Sequence, residues 1–238
     1  MSTRPIKQKT IGVLGGMSDR ATVEYYNFIN RAVNKRLGGW DIAETLIVGC
    51  NFGNIEHFVR QNDWETAEKY LLEKARLAES GGADILICMS NTMHKVLARI
   101  DDVISIPFIH IATPTAVAVN KLKLNKVALL GTLPVMAESY MREQYEQAGI
   151  EIVVPSPAQQ TQVDQIIFNE LVKNIVTPAS KQTYIDICND LVEKGAQGVI
   201  LGCTEIFLLI QPEDFEELPL FNTTELHVNA VVAAALAE

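Results

Sequence analysis

Residues 82–92 read GADILICMSNT, and residues 195–205 read GAQGVILGCTE. A gapless slide from 82 to 195, an offset of 113, lays one stretch on the other and puts Ser90 over Cys203. Two further pairs follow at nearly the same spacing. Gly12-Val13-Leu14-Gly15 resembles Ala128-Leu129-Leu130-Gly131 at an offset of 116, and Ile106-Pro107-Phe108-Ile109 resembles Leu218-Pro219-Leu220-Phe221 at 112. The second half of the chain therefore repeats the first. Two similar halves facing each other would line a pocket with matched groups on opposite sides, a geometry suited to chemistry on both faces of one carbon.

Outward from these stretches, short apolar runs alternate with amphipathic helical stretches, the pattern of a parallel α/β sheet. Residues 10–15 read as a buried strand. Ser18 then caps a helix whose core face is carried by Val23, Tyr26, Ile29 and Val33, ending at Gly38-Gly39. A strand near 44–50 leads through a loop to a helix from Asp63 to Ser80. The strand 84–89 delivers Ser90 at its C-terminal end. After Pro107 comes a strand, then a helix with Thr113 as cap and Pro114 in its first turn. The second half runs as strand 126–131, helix 135–148, strand 150–154, and helices 159–174 and 177–194. Strand 198–202, a short helix after Cys203, strand 218–221 and a helix over 224–237 complete it. The fold expected is two pseudo-symmetric Rossmann-like lobes, residues 1–112 with 218–238 and residues 113–217, with the site in the cleft between them.

At 238 residues the chain is long enough to bury a large core, and its composition, 48% hydrophobic and 21% charged, is that of an ordinary globular protein. Twenty basic against 29 acidic residues give a net charge of −9, which argues against a nucleic-acid partner. No apolar run approaches the length of a membrane span. The opening MSTRPIKQK is basic without the apolar stretch of a secretory signal. The four cysteines, Cys50, Cys88, Cys188 and Cys203, show neither a CxxC pair nor metal-type spacing. Free thiols in a reducing cytoplasm are the simplest reading, with no metal expected.

In open α/β sheets ligands bind beyond the C-terminal ends of strands, where Ser90 and Cys203 both fall. A helix beginning after Cys203 would lower its thiol pKa through the helix field and free N–H groups. Cys88, inside a strand, and Cys188, inside a helix, read as core residues. Ser90-Asn91-Thr92 reads either as a helix cap or as a set of reactive and binding groups. A serine hydroxyl is a poor proton acceptor without a base beside it. His94, four residues on, reads either as a relay or as a packed histidine. The glycine-rich turn Gly12–Ser18 matches neither GxGxxG nor a nucleotide-phosphate loop, and suits backbone N–H groups presented to a carboxylate. Glu205 reads as a polar neighbour of the site or as a first-turn glutamate. No pyridoxal-binding lysine motif is evident, so no cofactor is expected.

GGMS at 15–18 followed by Ala21-Thr22, SNTMH at 90–94 and GCTE at 202–205 together resemble the aspartate/glutamate racemase family, over nearly the whole chain. That resemblance implies a cofactor-independent amino-acid racemase, usually a homodimer, with one acid/base group per face of the substrate. Carried over by position, Cys203 is one of those groups and Ser90 stands in the place of the other. Met17 lines the substrate, and Asn91, Thr92, Thr132 and Thr204 hold its α-carboxylate and amino group. His57, with Arg60 close behind, falls where some members place a side-chain-binding arginine in the loop after the second strand; Lys173 falls near a second cationic position. Ser90 departs from the two-cysteine pattern. Family members with threonine there make a hydroxyl admissible, and the sequence reads alike whether Ser90 is native or a Cys→Ser exchange. Two other functions fit the residues: a malonate-type decarboxylase, which keeps only the base at the Cys203 position, and a non-catalytic amino-acid-binding protein.

Overall fold

The computed structural model describes residue 4 and residues 6–237. Residues 1–3 and 5, part of the opening stretch weighed as a secretory signal, lie outside the described residues. By its contacts the chain divides into two units. The first takes in the chain through Met89, then Val96–His110, and resumes at His227; the second takes in Ser90–Lys95 and Ile111–Leu226. The sequence sets the breaks at 112 and 217. By contacts, Ser90–Lys95 goes with the second unit and the return falls at His227, inside the last helix.

The first unit holds a four-stranded parallel sheet. Its elements are β1 (Ile11–Gly15), α1 (Asp19–Leu37), β2 (Thr45–Gly49), α2 (Phe52–Gln61), α3 (Trp64–Ser80), β3 (Ile85–Cys88) and β4 (Phe108–Ile109), with strand order β2-β1-β3-β4. The second unit follows with α4 (Ala112–Lys121), β5 (Lys126–Gly131), α5 (Leu133–Ala137), α6 (Ser139–Glu146) and β6 (Glu151–Val153). Then come α7 (Pro157–Asn169), α8 (Pro178–Glu193), β7 (Val199–Gly202), β8 (Leu220–Asn222) and α9 (Thr223–Ala235). Its sheet, also parallel, runs β6-β5-β7-β8. Each sheet thus has the same order of first appearance, second-first-third-fourth, which is the internal repeat made structural. The central strands β1, β3, β5 and β7 are almost wholly buried, as expected of parallel strands covered on both faces.

Several helices depart from the sequence reading. Ser18 does cap α1, accepting the Ala21 N–H at 3.0 Å. The buried stripe, however, is Ala21, Tyr25, Ile29 and Val33, while Val23 and Tyr26 are 56% and 40% exposed. Four-residue spacing keeps a small alanine and Tyr25 inside. The latter's hydroxyl is satisfied by His227 Nδ1 at 3.1 Å, which removes the cost of burying it. The stretch read as a loop after β2 is α2, capped by the Asn51 side chain and closed by Asn62 in the left-handed conformation. Gly53 and Asn54, both poor helix formers, hide it from a propensity reading. Helix α4 begins two residues earlier than the expected cap at Thr113: Ile111 is its N-cap, and the Ile111 N–H is taken by His94 Nε2 at 3.2 Å. The helix read as 135–148 breaks at Glu138, whose φ of −99° and ψ of 163° are extended. The helix read to 174 stops at Asn169 and gives way to a 3₁₀ turn, Leu171–Lys173.

Candidate active site

The segment Ser90–Lys95 opens two residues beyond β3 and continues as a 3₁₀ turn, Thr92–Val96. It is tied to the ends of β5 and β7 by two hydroxyl bridges. Thr92 Oγ1 meets Thr132 Oγ1 at 2.8 Å, and Thr132 is the residue after β5. Asn91 Nδ2 donates to Thr223 Oγ1 at 3.2 Å, while Thr223 Oγ1 donates to the Leu201 carbonyl on β7 at 2.8 Å. Gly131 and Gly202 are register partners, so Thr132 and Cys203 leave adjacent strands at the same level. A Cβ on Gly202 would stand 2.7 Å from the Leu130 carbonyl oxygen, so that close approach requires glycine. Ser90, Asn91, Thr92, Thr132, Cys203 and Thr204 therefore belong to one neighbourhood within the second unit.

The Thr223 bridge also fixes the Asn91 amide. Its hydroxyl proton goes to Leu201, so it can only accept from Asn91, which must present Nδ2. The other amide atom, Oδ1, is buried without a hydrogen-bond partner. An unmet buried acceptor costs roughly 1–3 kcal/mol.

Cys203 is not followed by the helix that its sequence suggests. Beyond it come Thr204, Glu205 and a 3₁₀ turn of three residues, Ile206–Leu208, too short to exert a helix field. The thiol donates to Glu205 Oε2 at 3.2 Å, and Thr204 Oγ1 donates to the same oxygen at 2.6 Å. Burial, and then the Glu205 charge, push the thiol well above its ordinary 9.0; the Glu205 backbone N–H works the other way. At neutral pH Cys203 is a protonated acid, the reverse of the thiolate expected from sequence. Asp164 on α7 takes the Leu133 N–H at 2.7 Å and adds a further negative field that raises the thiol.

Ser90 Oγ accepts the Met93 N–H at 3.4 Å. His94 is no relay to it: Nδ1 donates to the Ser90 carbonyl at 2.8 Å and Nε2 accepts from Ile111, so both ring nitrogens are engaged with backbone. In the first unit, Met17 is buried in the β1–α1 turn. There Gly16 adopts φ +76° with the Cys50 backbone so close that any Cβ would overlap it, and its N–H goes to Thr22 Oγ1 at 2.8 Å. That N–H is not available to a carboxylate. His57 lies exposed on α2, Arg60 pairs with Glu56 on the same helix, and Lys173 is exposed in its 3₁₀ turn. Cys88 and Cys188 are buried core residues. Among the described residues no cluster of three or more His, Cys, Asp or Glu side chains is arranged to hold a metal ion, and no helix is long and apolar enough to cross a membrane. Sequence reasoning missed Thr223, Asp164, Glu138 and Tyr140. Only Thr223 carried a local signal, as a threonine at the end of the repeat-equivalent strand β8.

A family model described as Asp/Glu/Hydantoin racemase matches residues 14–231. The chain belongs to that family. Among racemase relatives, it is 22% identical over 233 residues to the broad specificity amino-acid racemase of Bacillus subtilis (strain 168), covering 95% of this chain and 98% of the other. A candidate Asp/Glu racemase from Yersinia pestis superposes with a TM-score of 0.89 at 36% identity, covering 96% of this chain and all of that one. An aspartate racemase homologue from Pyrococcus horikoshii OT3 superposes at 0.84 with 29% identity, again over 96% of this chain and 100% of its own. Racemase relatives thus cover 95–96% of the chain and support an amino-acid racemase.

Proposed function

We propose that the protein interconverts the L and D forms of an acidic amino acid, aspartate or glutamate, by moving the α-proton between two faces. Cys203 serves one face and Ser90 the other. The observation that carries this reading is the unmet Asn91 Oδ1 in the same neighbourhood as a buried thiol: an acceptor for the substrate's ammonium beside an acid/base group. In the Thr92–Thr132 pair one hydroxyl donates to the other and leaves a single proton for the α-carboxylate, whose negative charge grows as the carbanion forms; the Thr204 proton stays with Glu205.

The resting thiol first gives its proton to water, and the thiolate, steadied by the Glu205 N–H, then takes the α-proton. The carbanion is reprotonated on the opposite face from Ser90, and the serine oxygen recovers a proton from water. A hydroxyl is a far weaker acid than a thiol, so this second transfer is slow and the two directions are unequal.

Proton NMR in D₂O on both enantiomers of aspartate and of glutamate tests the reading. One enantiomer is expected to lose its α-proton faster than it racemises. Cys203→Ala should slow that loss by on the order of 10²–10⁴-fold, the usual contribution of a positioned acid/base. Absence of exchange from all four would overturn the proposal.

A further inference from the structure

The break between α5 and α6 has no local cause. Ala137-Glu138-Ser139 contains neither glycine nor proline, and the flanking residues read as one helix. Glu138 closes α5 and opens α6, and its carboxylate makes no capping bond to α6. It reaches instead to Lys95 at 2.5 Å, in a pair whose side chains are only 21% and 35% exposed. Two residues on, Tyr140 directs its hydroxyl to the Asn91 carbonyl at a long 3.4 Å, with burial raising that phenol well above its ordinary pKa. Thr132, just before α5, holds Thr92. Three contacts from residues 132, 138 and 140 thus land on residues 92, 95 and 91.

We infer that the α5–α6 break is a clamp on the substrate-holding segment, with Glu138 and Tyr140 as its positioning residues. It rests on the racemase reading for its catalytic consequence. The helix gives up its continuity so that a carboxylate and a phenol reach a segment more than 40 residues earlier. Asn91 and the short 3₁₀ turn that begins at Thr92 have little regular backbone bonding of their own, so their orientation depends on these side-chain ties. Lys95 is thereby spent on Glu138 and is not offered to a substrate carboxylate.

The test uses Glu138→Gln, Tyr140→Phe and the reversed pair Lys95→Glu/Glu138→Lys. Amide hydrogen exchange of residues 91–96 in the free protein reads the clamp directly, whatever the protein catalyses. Glu138→Gln should speed it about tenfold with little change in Tm, and the reversed pair should restore most of the protection. Unchanged exchange, or loosening spread evenly over the second unit, overturns the clamp. With the exchanging amino acid in hand, both single variants should raise KM about fivefold, more than they lower kcat, because they disturb orientation and leave Cys203 untouched. A fall in kcat alone would overturn the positioning role. A wild-type protein that exchanges no α-proton would overturn the racemase reading, while the amide-exchange result would still decide the clamp.

Discussion

The β3 end and the β7 end occupy equivalent places in two sheets of identical strand order, yet they finish their chemistry differently. Beyond β7, the side chain at that place is a thiol, and the acidic residue two positions later accepts its hydrogen bond. Beyond β3, the side chain is a hydroxyl, and His94, four residues on, has turned both ring nitrogens to backbone. Duplication has preserved where a group stands while the groups that decide its acidity have diverged. In this fold, position is inherited through the strand and helix pattern, whereas proton affinity is set by one or two side chains that can change without disturbing a strand.

The sharpest way to break that asymmetry is to equalise the reactive atoms. Ser90→Cys should raise full racemisation by on the order of 10²-fold or more, and bring the two directions closer together. Measured with both enantiomers, an unchanged ratio would mean that residue 90 does not touch the substrate's α-carbon.

Acid should separate the two units themselves. His227 is enclosed in the first unit, donating from Nε2 to the Ile109 carbonyl at 2.8 Å and accepting from Tyr25 at Nδ1. Burial lowers its pKa from 6.5 to about 4, and burial does the same to His110 nearby. The unfolded chain binds these protons first, so stability is whole above pH 6.5 and declines as pH falls toward 4, by roughly 3 kcal/mol for His227 alone. Native-state hydrogen exchange at pH 5 should show the first unit loosening before the second. The opposite order would remove these histidines as the cause.

The smallest expected effect concerns Glu205. Glu205→Gln removes a charge that raises the Cys203 thiol, so the pH at which exchange from that face accelerates should move down by about one unit, near tenfold in rate at a fixed pH below it. A pH–rate profile displaced upward instead would mean that Glu205 matters as the proton's acceptor more than as a charge.

Much of the fold was legible because ILIC at β3 and VILG at β7 are unbroken apolar runs of strand length, and because the repeat located the residues that follow them. The parts that were not legible depend on partners remote in sequence. Asn51 caps a helix through glycine and asparagine that read as loop, His94 takes the N–H of Ile111, and Lys95 holds Glu138 out of a helix. The pKa of Cys203 was misjudged for a related reason. A cysteine after a strand suggests a helix start and a thiolate, while the turn formed by Thr204 and Glu205 encloses the sulfur beside a carboxylate. Periodicity reports which side of an element is buried on average; it does not report which hydrogen bond admits a tyrosine at 25 and leaves one at 26 outside.

A thiol kept protonated by enclosure and a neighbouring carboxylate is a poor target for peroxide, alkylating agents and mixed-disulfide exchange, all of which attack through the thiolate. Cys203 therefore carries its own protection against oxidative damage: the arrangement that makes it a reluctant base also keeps it reduced when the surroundings are not.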